Sequence, residues 1–224
     1  MCLLIVCSQV IDDFPLVVAA NRDERLDRPA VSISRLREAN PVILGGLDKL
    51  AGGTWLAVNE HGVVAGLTNR PTAEGRDPTR RSRGEIPILL TAARSAKDAA
   101  DSFVASARPS TYNPAWVLVG DRRSLEYVNV DQDGDFESVS LRAGIHVLEN
   151  RPLDGPSSKA DRARRLLGDP SVLDRHALLE RLVAVLSDHE TDSPASDRRS
   201  ATTACCVHDE KYGTRSSMIV LVPR

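Results

Sequence analysis

Cys2 follows the initiator Met1. Loss of Met1 would give one residue both a thiol and a free α-amine. The thiolate is the nucleophilic form of cysteine, and a free α-amine titrates at about 7.7–8.0, near enough to neutrality to take the thiol proton. Nucleophile and base would then share a single residue. Cys2 also opens the apolar run Cys2-Leu3-Leu4-Ile5-Val6-Cys7, where a cysteine packs equally well as a small buried hydrophobe. The other polar clusters must decide between the two. The densest is Asn21-Arg22-Asp23-Glu24, at the end of the second apolar run. If the two runs pair as a hairpin, this cluster returns beside Cys2. There Arg22 and Asp23 can tune the thiol and orient the amine, and Asn21 and Glu24 can contact a substrate.

Two asparagine segments resemble each other. Asn59-Glu60-His61-Gly62 leads through Val63-Val64-Ala65-Gly66-Leu67 to Thr68-Asn69-Arg70-Pro71, and Leu148-Glu149 leads to Asn150-Arg151-Pro152. Each places an amide at a strand end, where an N–H₂ can stabilise a tetrahedral oxyanion; asparagine also serves in such places as a turn residue. Gly52-Gly53-Thr54-Trp55 offers close backbone approach and an indole wall. Arg215 lies in Tyr212-Gly213-Thr214-Arg215-Ser216-Ser217, near the end of the chain. The five histidines are scattered and none pairs with an evident nucleophile and acid.

The elements that must position these residues read as alternating blocks. Strands are predicted at 2–9, 15–20, 41–45, 54–59 and 62–67, then helices at 84–94 and 95–105. A second strand block covers 116–120, 125–130, 136–141 and 145–148. Helices follow at 158–167 and 174–186, the latter capped by Asp174. Residues 187–200 read as a polar, mobile stretch, and 202–207 with 216–222 as a closing hairpin. Strands in consecutive blocks argue against a parallel doubly wound sheet, and continuous apolar runs argue for strands covered on both faces. Two antiparallel sheets covered by helix layers fit both observations. No repeat or interior linker divides residues 1–224, which read as one domain.

Composition narrows the function. With 224 residues, 42% hydrophobic and 27% charged, the chain can bury a substantial core. A net charge of −2 gives no basic field for nucleic acid. No apolar stretch approaches a membrane helix, and the N-terminus lacks the charged lead of a signal peptide. The four cysteines, two of them adjacent, show neither a disulfide framework nor a zinc spacing. The cytoplasm is the expected compartment.

Taken together, Met1-Cys2 with its apolar run, Asn21-Arg22-Asp23-Glu24, Gly52-Gly53-Thr54-Trp55 and Tyr212-Gly213-Thr214-Arg215-Ser216-Ser217 resemble the NRDE family, also called the transport-and-Golgi-organisation 2 family. The resemblance covers the whole chain. That family is in turn similar to the N-terminal nucleophile hydrolases of the penicillin V acylase and bile salt hydrolase group. The resemblance implies an α+β fold, a four-layer αββα sandwich, and Cys2 as the nucleophile. It also implies Thr68 or Asn69 as the oxyanion group, Asn150 as the second asparagine, and Arg22 and Asp23 beside the thiol. Arg215, Arg198 or Arg199 would be the late arginine. The implied chemistry is acyl transfer from a small acyl amide or thioester, with no cofactor or metal required. The alternative it implies is a carrier that holds haem or acyl-CoA in the same pocket.

Overall fold

Leu3–Ser8 (β1) and Leu16–Arg25 (β2) pair as the antiparallel hairpin that their apolar runs predict, with Leu3 opposite Asn21 and Ser8 opposite Leu16. A computed structural model describes residues 2–38, 40–106, 108, 110–131, 136–191 and 203–224. Every residue of β1 is buried, because it is an interior strand. Gly144–Leu148 (β10) flanks β1 on its other side, and Tyr212–Val222 (β11) flanks β2, giving the antiparallel order β10-β1-β2-β11. Strands with neighbours on both edges and cover on both faces read as unbroken apolar runs.

Strand β2 does not end at Ala20. It runs on through Asn21-Arg22-Asp23-Glu24 to Arg25, because β11 lies beside its whole length, with Tyr212 opposite Arg25 and Val222 opposite Leu16. The polar cluster is therefore inside a strand rather than at its exit. The expected closing hairpin is also replaced. Residues 203–207 form no strand; Val207 is instead held by Thr214, whose N–H donates to its carbonyl and whose hydroxyl accepts from its N–H. The expected stretch 187–200 falls partly, and Thr202 wholly, outside the described residues, as do Arg198 and Arg199.

Two helices cover one face of this sheet. Ser158–Leu167 (α3) is capped by Ser157, whose hydroxyl accepts from Ala160 N–H at 3.0 Å. Arg175–Leu186 (α4) is capped by the predicted Asp174, which accepts from Ala177 N–H at 2.8 Å. Leu3, Ile5, Cys7, Val17 and Ala19 from the sheet pack with Ala163 and Leu167 of α3 and with Leu178, Leu182 and Val185 of α4. Alternation then assigns the remaining positions. Asn21 and Asp23 continue the helix-covered face of β2, while Cys2 and Arg22 belong to the opposite one.

The chain divides into two compact units. The first comprises Met1–Asp27 and Ala143–Arg224; the second is Arg28–Arg142. In the second, an antiparallel sheet runs in the order Ala30–Arg37 (β3), Ile43–Asp48 (β4), Leu56–Asn59 (β5), Val64–Asn69 (β6), Ala115–Gly120 (β7), Leu125–Val130 (β8) and Glu137–Ser140 (β9). Glu85–Leu90 (α1) and Ala96–Ser106 (α2) cover one of its faces, burying Ala65, Val117, Val119 and Val128 against Ile86, Leu90, Ala100 and Phe103. No strand is predicted over β3. It is an edge strand, mostly exposed or half-buried, so no apolar run marks it. Among the described residues, no helix is long and apolar enough to cross a membrane.

Candidate functional site around Cys2

The β1–β2 hairpin brings Cys2, Arg22 and Asp23 together, and the segment after β10 adds Asn150. The backbone N of Cys2, which becomes the α-amine on loss of Met1, donates to Asn150 Oδ1 at 2.9 Å. The Cys2 thiol accepts from the main-chain N–H of Asp23. Burial pushes the thiol above its ordinary value, and the Asp23 charge adds to that. The positive amino terminus, the Asp23 N–H and Arg22 pull the other way. Asn150 thus presents its carbonyl oxygen to the Cys2 nitrogen, an orienting contact on the base.

Arg22 and Asp23 are both buried but face opposite ways. Continuing the β1–β2 register puts Arg22 across from Cys2. Its side chain is 5% exposed, and Nη2 lies 3.7 Å from Glu24 Oε2 on the same face. Glu24 also accepts from the Arg25 N–H. Asp23 turns to the helix side, where Oδ1 accepts from Thr214 Oγ1 at 2.6 Å and its carbonyl accepts from Tyr212 Oη at 3.0 Å. Burial raises the Asp23 carboxyl; Lys159, the Thr214 hydroxyl and the positive amino terminus oppose it.

Lys159 is the residue that sequence reasoning missed. Its Nζ lies 3.7 Å from Asp23 Oδ2, and the two side chains are 1% and 0% exposed. A signal was present: Lys159, Ala163 and Leu167 are spaced i, i+4, i+8, so the lysine occupies the apolar stripe of its helix.

Other expected residues are occupied within the fold. Asn21 is wholly buried; its Nδ2 donates to Leu186 O at 2.8 Å and Cys205 O at 2.9 Å, and its Oδ1 accepts from Ser217 Oγ at 2.6 Å. Those bonds pin β2 to the end of α4, in place of the substrate contact expected of it. Arg215 is exposed, and its guanidinium donates to the carbonyls of Arg25 and Leu26. The cation beside Asp23 is Lys159, not this arginine.

Trp55, Thr68 and Asn69 lie in the second unit. Thr68 is buried on β6 and Asn69 is exposed at its end. Trp55 rests on bare backbone, since a Cβ at Gly46 would stand 2.3 Å from its indole. The glycine pair before it serves packing too: a Cβ at Gly53 would stand 2.5 Å from Gly84, whose carbonyl accepts from Thr54 N–H. Among the described residues, no group of three His, Cys, Asp or Glu side chains is placed to hold a metal ion.

A family model described as Transport and Golgi organisation 2 matches residues 1–224. The chain belongs to that family. It is 32% identical over 234 residues to a Transport and Golgi organization protein 2 homolog of Bos taurus, covering 93% of this chain and 82% of that one. A homolog from Mus musculus is 30% identical with the same coverage. Among solved structures, an N-acylethanolamine-hydrolyzing acid amidase ortholog from Caenorhabditis elegans aligns with TM-score 0.57 and 14% identity, over 97% of this chain and 99% of that one. Penicillin V acylase from Agrobacterium tumefaciens aligns with TM-score 0.57 and 10% identity, over 98% and 79%. At such identities the likeness shows the fold alone, and it is the α+β sandwich class that the sequence implies.

Proposed function

We propose that this chain is an N-terminal cysteine acyl-transfer enzyme acting on a linear amide or thioester, with water as the simplest acceptor. The observation that carries the reading is the 2.9 Å contact from the Cys2 nitrogen to Asn150 Oδ1. A hydrogen bond accepted by Asn150 fixes one N–H of the future α-amine and leaves its lone pair free to take the thiol proton. The two solved neighbours are named for an amide-cleaving amidase and an acylase, which supports an acyl amide as the substrate class.

The Cys2 thiol gives its proton to the α-amine as the C–S bond forms, and the carbonyl oxygen takes the negative charge. The oxyanion collapses, the C–N bond breaks, and the α-ammonium returns the proton to the leaving amine. A thioester remains on Cys2. Water then attacks its carbonyl carbon while the α-amine takes a water proton. The C–S bond breaks, the thiolate recovers that proton, and a carboxylic acid leaves. Arg22, across from Cys2 and buried, supplies positive charge on the thiol's side of the sheet, and the Asp23 N–H stabilises the thiolate.

The test is the intact mass of the purified protein before and after p-nitrophenyl acetate. Loss of Met1 with one acetyl adduct mapping to Cys2 is expected. Retained Met1 would remove the base, overturn the enzyme reading, and leave the haem or acyl-CoA carrier in its place.

A further inference from the structure

Lys159 sits where a lysine is costly for two independent reasons. It is the second residue of α3, at the positive end of that helix's dipole, where acidic residues are favoured and cations are not. It is also completely buried, and a buried ammonium demands a partner. Among the described residues neither its Nζ nor Asp23 Oδ2 makes a hydrogen bond, and the two face each other at 3.7 Å.

The helix is fastened in this position. Ser157, its N-cap, donates its hydroxyl to the buried Glu149, the neighbour of Asn150. Lys159 and Asn150 are therefore held by one joint, and Asp23 links Lys159 to the Cys2 thiol.

We infer that Lys159 is a positioning residue of the Cys2 centre: from behind the sheet its buried ammonium fixes the charge and place of Asp23, whose main-chain N–H grips the thiol on the other side. This rests on the nucleophile reading of Cys2.

The groups facing Asp23 are few. Lys159 reaches it from α3 and Thr214 from β11. Cys2 and Arg22 lie across the sheet, with the positive amino terminus also acting on the carboxyl. Beyond Lys159 lies Cys205, whose surroundings add Asp188 and Arg162, themselves paired at 2.6 Å. Removing Lys159 would leave the Asp23 anion unbalanced beside Cys2.

The experiment measures iodoacetamide labelling of Cys2 against pH in the Met1-processed protein, read on its N-terminal peptide. Lys159→Met should raise the labelling midpoint, since the Asp23 charge that already raises the thiol loses its counter-charge. Adding Asp23→Asn should bring it back toward wild type. If Lys159→Met does not fold, Asp23→Asn alone is compared with the double variant. The lone Lys159 cation should give Asp23→Asn the lower midpoint. Wild-type labelling with equal midpoints across the folded variants overturns the role of Lys159 alone. Wild-type protein that never labels at Cys2 overturns the nucleophile reading, and the inference with it.

Discussion

Lys159→Met should be severely destabilising, and in a way that depends on pH. The substitution keeps an unbranched side chain of similar length in the apolar stripe of α3, so packing changes little. What it removes is the ammonium paired with a carboxylate that has no exposed surface. Breaking a buried pair by deleting one partner costs about 3–5 kcal/mol. For a chain of this length that corresponds to a fall in Tm of about 6–20 °C. The pH sign follows from Asp23. Burial already holds its carboxyl above the unfolded value of about 3.9. A carboxyl raised in the fold contributes stability below its unfolded pKa and loses it as pH rises through the folded one. Without Lys159 the folded value climbs further. The deficit should therefore be larger at about pH 8 than at about pH 5.5, because the isolated carboxyl takes up a proton as the pH falls. Urea unfolding of both proteins at the two pH values measures it. Adding Asp23→Asn should recover most of the loss, since the amide keeps an oxygen for Thr214 and carries no charge. A deficit under about 1 kcal/mol, or one equal at both pH values, would refute the assignment of an uncompensated buried anion.

Cys2→Ser should leave the Tm within a few degrees of wild type and abolish the acetyl adduct; an unchanged adduct would remove Cys2 from the chemistry. Asn150→Ala should slow acetylation by about 10²-fold through loss of the oriented base, while Asn150→Asp keeps an acceptor and should shift the rate profile to higher pH by stabilising the ammonium. Stopped-flow acylation against pH separates the two. Asn21→Ala strips a partner from two buried carbonyls, Leu186 O and Cys205 O, at about 1–3 kcal/mol for each left unpaired; calorimetry should show the loss, with the Cys2 labelling midpoint unmoved. Burial pushes Cys7 up to about 12 and Cys205 up to about 11, so maleimide near neutral pH should leave both unmodified until denaturant is added, while half-buried Cys206 reacts in the native state.

Much of the fold could be read where one face or both are apolar over a whole element. Strands β1, β7 and β8 and helix α4, with its Asp174 cap, fall where periodicity puts them. The failures share a cause: long-range partners override local pattern. Asn21 looks like the start of a loop because its acceptors, Leu186 and Cys205, are 165 and 184 residues away in sequence. The extension of β2 to Arg25 depends on β11, which arrives only at the end of the chain. At the site, Asn150 is implied by the family resemblance, whereas its contact with the Cys2 nitrogen through Oδ1 depends on the fold. Lys159 was hidden inside a charged helix whose polar residues read as a solvated face.

The run Asn21-Arg22-Asp23-Glu24 gains its meaning from being a strand. With a side-chain period of 2, Asn21 and Asp23 point to the helices, where one satisfies the carbonyls of Leu186, the last residue of α4, and Cys205 and the other meets Lys159 and Thr214. Arg22 and Glu24 point to the opposite face, which continuing the register gives to Cys2. Four polar residues in a loop could be rearranged at small cost. In an interior strand they cannot be, because a one-residue slip would turn Asn21 and Asp23 away from their partners and bury Arg22 against the helices. The register that anchors the core thus also presents a cation to Cys2 on one face and a balanced carboxylate on the other. An insertion of one residue between Ala20 and Asn21 should accordingly abolish both folding of the β2–α4 junction and acetylation of Cys2. Shortening the β1–β2 connection at Asp12-Asp13 leaves that register intact and should spare both.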